Sequence, residues 1–271
     1  MNKDNKFIRL TDHVDIQDTV TPGKTIVKIY DHETGELIFT THNKVIFPGA
    51  AFTLMKHYNI NANVRTPSYN SVLSLENTDD ALYEEPGIRR EEQVVLFAVG
   101  VDGCGEQQHE IYPVDYRKWI LPEKLVPFRF PLEINDLGSP LRQIYYGRKV
   151  IDNRVAYYFK AFDAEPKVIQ QYKDGTPVDE NLYESTKEDE VETYVELQLS
   201  VTKTDCREWF ENTVGINKAK VNTFSLLTAW PKVVDGYVYY QDIRPLTKIN
   251  ISNEPLVDPS KGIDIVYQTF Y

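Results

Sequence analysis

The residues whose types and spacing come nearest to a reactive centre are Gly103-Cys104-Gly105 and His109. A thiol beside an imidazole can act as nucleophile and base, but it needs a third group or a helix N-terminus to lower the thiol pKa. Here the segment follows an apolar run and reads as the turn that ends a strand. Cys104 and Cys206 form no Cys-x-x-Cys pair, so a zinc ribbon, a thioredoxin-like redox pair and an iron–sulfur site lack support. In a reducing cytoplasm both are expected to be ordinary thiols, and a disulfide between them cannot be deduced from sequence. The histidines His13, His32, His42, His57 and His109 are scattered. Asp12-His13-Val14-Asp15 and Asp31-His32-Glu33 gather ligand types, although the second falls in a hairpin turn where such residues are commonly solvated. Gly-x-Ser-x-Gly, the phosphate loop and His-Glu-x-x-His are all absent. A hydrolase whose carboxylates or Cys104 meet only in space is the remaining enzymatic alternative. The expectation is a protein without catalysis, cofactor or metal.

Aromatic residues are the more unusual class, with 18 Tyr, 12 Phe and 3 Trp against 2 Met. Tyr145-Tyr146, Tyr157-Tyr158 and Tyr237-Val238-Tyr239-Tyr240 place phenols on both faces of strands, so some must lie outside a single core. Exposed tyrosines suit protein interfaces or sugar stacking, because a rigid apolar ring carries a polar tip. Tyr237, Tyr239, Tyr240, Arg244, Lys248, Ile263, Tyr267 and Tyr271 are the candidate interface residues. The formal charge of −11 is concentrated: Asp179 to Glu192 holds seven acids and one base. That reads as one solvated acidic loop on a nearly balanced body. The run lacks the alternating Asp/Asn pattern and central Gly of an EF-hand. Basic residues form only short doublets, Arg89-Arg90 and Arg148-Lys149, which argues against a nucleic-acid groove.

The elements that must hold these residues are mostly strands. With 41% hydrophobic and 26% charged residues in 271, the chain has the composition of a folded globular protein. It has no 18-residue apolar run, and its start lacks the apolar stretch of a secretory signal. Lys24–Tyr30 and Glu36–Thr41 predict a hairpin about Asp31-His32-Glu33-Thr34-Gly35. Pro48 to Tyr58 predicts a short amphipathic helix, with Ala51, Leu54, Met55 and Tyr58 at helical spacing. Asn59 to Arg90 reads as a long loop. Gln93 to Gly100 is a continuous apolar run and predicts a central strand buried on both faces. Pro113, Pro122, Pro127, Pro131 and Pro140 forbid a long helix and suggest an extended arm, as does Ile249–Lys261. Arg154–Phe162 and Val191–Val201 read as strands, the latter with odd-numbered residues inward. Asp205 is expected to cap a helix through Asn212, ended near Gly215. Val221–Trp230, Gly236–Ile243 and Gly262–Tyr271 predict three further strands.

The predicted class is therefore mainly β, a β-sandwich or mixed antiparallel sheets, with one or two short helices and long irregular insertions. A single domain over 1–271 is favoured, with a subdivision into 1–112 and 113–271 as the alternative.

His42-Asn43-Lys44-Val45-Ile46-Phe47-Pro48-Gly49 leads into the short apolar helix. It resembles a pattern near the start of structural proteins of tailed bacteriophages, which have an Asn, two aliphatic residues and a Gly before a helix. Those proteins often continue with a buried strand ending in Gly, as in Phe97-Ala98-Val99-Gly100-Val101-Asp102-Gly103. Their closing part is similar to Asn222–Thr228, then Ile243-Arg244-Pro245-Leu246-Thr247-Lys248-Ile249, then a final strand. The likeness covers scattered pieces, and the middle from Arg117 to Glu190 departs from it. The resemblance implies a non-enzymatic virion part in the tail, neck or baseplate, made soluble in the host cytoplasm. Its partners would be copies of itself and other virion proteins, with no nucleic acid and no membrane. A carbohydrate- or receptor-binding β module is the alternative that the tyrosines suggest.

Overall fold

A computed structural model describes residues 25–42, 44–45, 47–58, 68–75, 91–105, 110–115, 118–178, 191–234, 236–255 and 261–270. The first hairpin joins β1 (Thr25–Asp31) to β2 (Leu37–His42). Asp31 starts its turn by accepting hydrogen bonds from the Glu33 and Thr34 N–H groups at 3.0 and 2.9 Å. Gly35 closes the turn at φ +69°, a conformation that a side chain disfavours. Then follow β3 (Lys44–Val45) and the helix α1 (Phe47–Tyr58), whose Phe52 and Met55 face the core.

The rest of the chain supplies α2 (Tyr69–Leu73), β4 (Gln93–Gly100), β5 (Leu125–Val126), α3 (Ser139–Arg142), β6 (Tyr145–Ile151), β7 (Arg154–Ala161) and β8 (Lys167–Tyr172). It continues with β9 (Val191–Val201), α4 (Arg207–Asn212), β10 (Lys220–Val234), β11 (Tyr237–Pro245), β12 (Thr247–Pro255) and β13 (Ile263–Phe270). The class is mainly β, with antiparallel pairing throughout the named strands. One sheet has the order β2-β1-β13-β9-β8. The other runs β3-β12-β10-β4-β7-β6, with β11 beside the second half of β10 and β5 beside β4. Both sheets take strands from either side of residue 112.

Val27, Ile29, Leu197, Leu199, Ile265 and Tyr267 of the first sheet share one apolar cluster with Phe97, Val99, Phe224 and Ile249 of the second. A second cluster covers the far face of the larger sheet, where Leu96, Ala98, Leu227 and Ala229 meet Tyr69, Leu73 and Ile120. The uninterrupted apolar run of β4 follows from this, because Phe97 and Val99 serve one core while Leu96 and Ala98 serve the other. β7 is buried on both faces too, although its sequence suggested one apolar face. β9 matches its alternation, with Leu197, Leu199 and Val201 inward, while Tyr194 is buried against Phe270 on the opposite face.

Several expectations need correction. The stretch read as a loop contains α2, which Ser68 caps. The described helices number four rather than one or two. The proline-rich stretch is no free arm: Phe128 and Phe130 are buried, and the Phe128 N–H donates to the Tyr157 carbonyl at 2.8 Å. Residues 249–255 belong to β12, between β3 and β10. Asp205 does not cap α4, whose N-cap is Cys206 at φ +63°. Its carboxylate instead accepts from Lys160, Tyr145 and the Thr202 N–H inside the protein. The last strand pairs within the chain, between β1 and β9.

Candidate functional site

Along the run β6-β7-β4-β10-β11 the sheet curls until its two ends meet. The Tyr146 ring of β6 packs edge-on against Tyr240 of β11 at 4.6 Å between centroids. A cavity of about 380 Å³ opens at this seam. That is within the size range of small-molecule sites, and the mouths of incompletely closed barrels are a common place for them.

Both walls depend on an irregular strand. In β6, Tyr146 is opposite Phe159 and Arg148 is opposite Tyr157, with Gly147 between them at φ +71°. A Cβ on Gly147 would stand 2.4 Å from the Phe159 ring, so only glycine fits. In β11 the register shifts between Thr228 and Trp230 of β10, where Asp242 sits at φ +53°. The β11 bulge is of the kind that re-aims side chains next to functional sites, whereas β6 keeps its register with β7 across Gly147. With the positive-φ Gly147 and the β11 bulge, Tyr145, Tyr146, Gly147 and Arg148 line the same cavity as Tyr237, Val238, Tyr239 and Tyr240.

Asp136 organises the lower wall. It accepts hydrogen bonds from the Tyr157 hydroxyl at 2.6 Å, Arg142 at 2.6 Å, Arg148 at 3.1 Å and the Leu137 N–H at 2.7 Å. Burial, reinforced by the Asp136 carboxylate, pushes the Tyr157 phenol up to about 12. Burial likewise raises Tyr146 and Tyr240. α2 closes the far end: Asn70 accepts from the Ile243 N–H at 2.7 Å, and Lys149 donates to the Leu73 carbonyl at 2.6 Å. The hydroxyls of Tyr237, Tyr239 and Tyr240 and the Gln143 side chain make no hydrogen bond among the described residues.

Of the candidate interface residues, Tyr237 and Tyr239 are exposed and Tyr240 is half-buried, all three at the seam. The next four lie inside the fold. Arg244 is buried against Glu92 and Asp242, and Lys248 reaches Asp102 at 2.9 Å. Ile263 and Tyr267 face the main core. Tyr271 lies outside the described residues. Asp136, Arg142, Gln143 and Asn70 were missed from sequence. Tyr145-Tyr146-Gly147 was the available signal, since a glycine inside an aromatic strand marks a tight bend or a close approach, here of the Phe159 ring.

Cys104 and Cys206 are free, buried thiols, and burial raises both, Cys206 the more strongly. Neither has the thiolate character that a nucleophile needs. His32 contacts Asp264 at 2.8 Å on the surface, and His42 lies 3.2 Å from the Thr25 carbonyl. His57 is exposed on α1. The cluster at His13, His109, Arg89-Arg90 and the acidic run through Glu190 lie outside the described residues. Among the described residues no group of three or more His, Cys, Asp or Glu is placed to hold a metal, and no helix is long and apolar enough to cross a membrane. Compared with known proteins, the chain matches no family model, no curated protein and no solved structure.

Proposed function

We propose that the chain is a non-enzymatic structural component of a tailed-phage virion, working through protein–protein contacts in a multimeric tail, neck or baseplate assembly. The phage attribution rests on the resemblance of segments 42–49, 97–103, 222–228 and 243–249. The assembly reading is carried by the edges of the smaller sheet. β2 and β8 are its end strands, and they expose Leu37 (54%), Ile38 (41%) and Val168 (72%). The chain folds back along the second half of β8, where the Tyr172 N–H donates to the Thr176 carbonyl at 2.8 Å. Among the described residues, no strand pairs with the outer side of the half carrying Lys167 and Val168. Exposed aliphatic edges with unpaired backbone are where another strand adds.

The successive antiparallel steps between β2 and β8 leave these two edges running in the same direction. A rotationally related neighbour would therefore set β8 of one copy parallel to β2 of the next, a heterologous contact of the kind that closes rings. Glu36, just before β2, would then meet Lys167, at the start of β8. Native mass spectrometry of the purified chain tests this. The expected result is a ring of fixed copy number that Val168→Lys and Leu37→Lys reduce to monomer. A chain that stays monomeric at high concentration overturns the proposal.

A further inference from the structure

We propose that the seam between β6 and β11 is a binding site for a neutral saccharide. This goes beyond the assembly reading and is independent of it, because the edges used there belong to the other sheet.

The argument rests on what the walls offer. Tyr237, Tyr239 and Tyr240 present rings that are half-buried or exposed, and Tyr146 buttresses Tyr240 from the side. A pyranose has an apolar C–H face ringed by hydroxyls. It therefore needs a flat aromatic surface beside donors and acceptors that the protein has not already committed. The three phenol hydroxyls and the Gln143 amide are uncommitted among the described residues. Other ligand classes fit less well. A phosphate or carboxylate ligand wants concentrated positive charge, but Arg142 and Arg148 both already contact Asp136, at 2.6 and 3.1 Å. A wholly apolar ligand would leave these polar groups facing hydrocarbon. The close packing of Gly147 on the Phe159 ring and the register shift of β11 hold both walls in shape without the ligand, which limits the ordering cost of binding.

The test is calorimetric titration of the full chain with cellobiose, maltose, lactose and N,N′-diacetylchitobiose, followed by a glycan array. The expected result is saturable, millimolar or tighter binding of at least one of these sugars. Tyr239→Ala and Gln143→Ala should each weaken it by about tenfold, with circular dichroism and melting unchanged. Both side chains are on the surface, so loss of binding there does not reflect unfolding. Val168→Ala, on the remote edge, should leave sugar affinity unchanged. Absence of saturable binding across the panel and the array overturns the proposal, as does binding that survives both seam substitutions. Recognition of an extended peptide in place of sugars overturns it too. Sugar binding by a chain that never assembles would uphold this site while rejecting the assembly reading, so the two fail separately.

Discussion

The Lys160 ammonium lies 2.8 Å from the Asp205 carboxylate, with both side chains sealed from solvent. This contact ties β7 to the connection between β9 and α4. Tyr145 donates to the other Asp205 oxygen at 2.7 Å, and Lys160 also donates to the Ser200 carbonyl at 2.8 Å. Removing one partner of such a pair strands a charge in a dry interior. Lys160→Met should therefore destabilise the protein by about 3–5 kcal/mol in urea unfolding. Adding Asp205→Leu should recover part of that loss, because the stranded charge is gone. A Lys160→Met protein as stable as the parent would contradict a stranded buried charge at this pair.

Buried phenols make the fold sensitive to base. Burial raises Tyr69, Tyr145, Tyr146 and Tyr267, and burial with the Asp136 contact takes Tyr157 to about 12. In the unfolded chain these groups ionise near 10. Above that pH the unfolded state binds fewer protons than the native one, so stability falls as pH rises. Below it their contribution is fully present. Each such tyrosine steepens the loss by about 1.4 kcal/mol per pH unit until its folded value is reached. Phenolate absorbance should resolve tyrosines that titrate freely from a class that ionises only as circular dichroism reports unfolding. A single freely titrating class would contradict the burial.

Glycines with similar backbone angles should differ in what a methyl group costs. Gly35 and Gly147 have φ of +69° and +71°, but a Cβ meets nothing within 4 Å at Gly35 and the Phe159 ring at 2.4 Å at Gly147. Gly35→Ala bears only the backbone penalty, about 1–2 kcal/mol. Gly147→Ala adds overpacking of about 1–3 kcal/mol and should distort the seam. Equal urea midpoints for the two variants would mean that β6 relaxes around the methyl.

What was legible in the sequence was local. The Asp31–Gly35 turn, the spacing in α1, the apolar run of β4 and the alternation of β9 each state their structure within a few residues. Ile249–Lys261 reads as an arm because its hydrophobic pattern is scarce, and the polar Lys248 and Asn250 flank Ile249. Their burial makes sense only with Asp102 and the Tyr112 carbonyl, which the fold brings from far away in the chain. Asp205 looked like a cap for the same reason, since Lys160 is invisible from its neighbourhood. The seam was half legible: the tyrosine runs stood out, but their convergence depends on the β11 bulge, on the positive-φ Gly147 and on the curl of the larger sheet.

Backbone protection separates a packed strand from an arm, and two segments that the sequence painted as arms can be tested on that point. The Phe128 N–H donates to the Tyr157 carbonyl at 2.8 Å, the Tyr157 N–H donates to the Arg129 carbonyl at 3.0 Å, and the Cys206 N–H donates to the Phe128 carbonyl at 2.8 Å. Phe128 packs edge-on against Phe97 at 5.1 Å, which places this backbone against the main core. In β12, Ile249 and Ile251 are almost fully buried and pairing runs to both β10 and β3. Amides so placed open only with the global transition, whereas those of a free arm exchange at the rate of an unfolded peptide. Hydrogen exchange followed by mass spectrometry should therefore show peptides from 125–132 and 247–253 protected as strongly as those of β4. Fast exchange in either segment would detach it from the sheet and restore the arm.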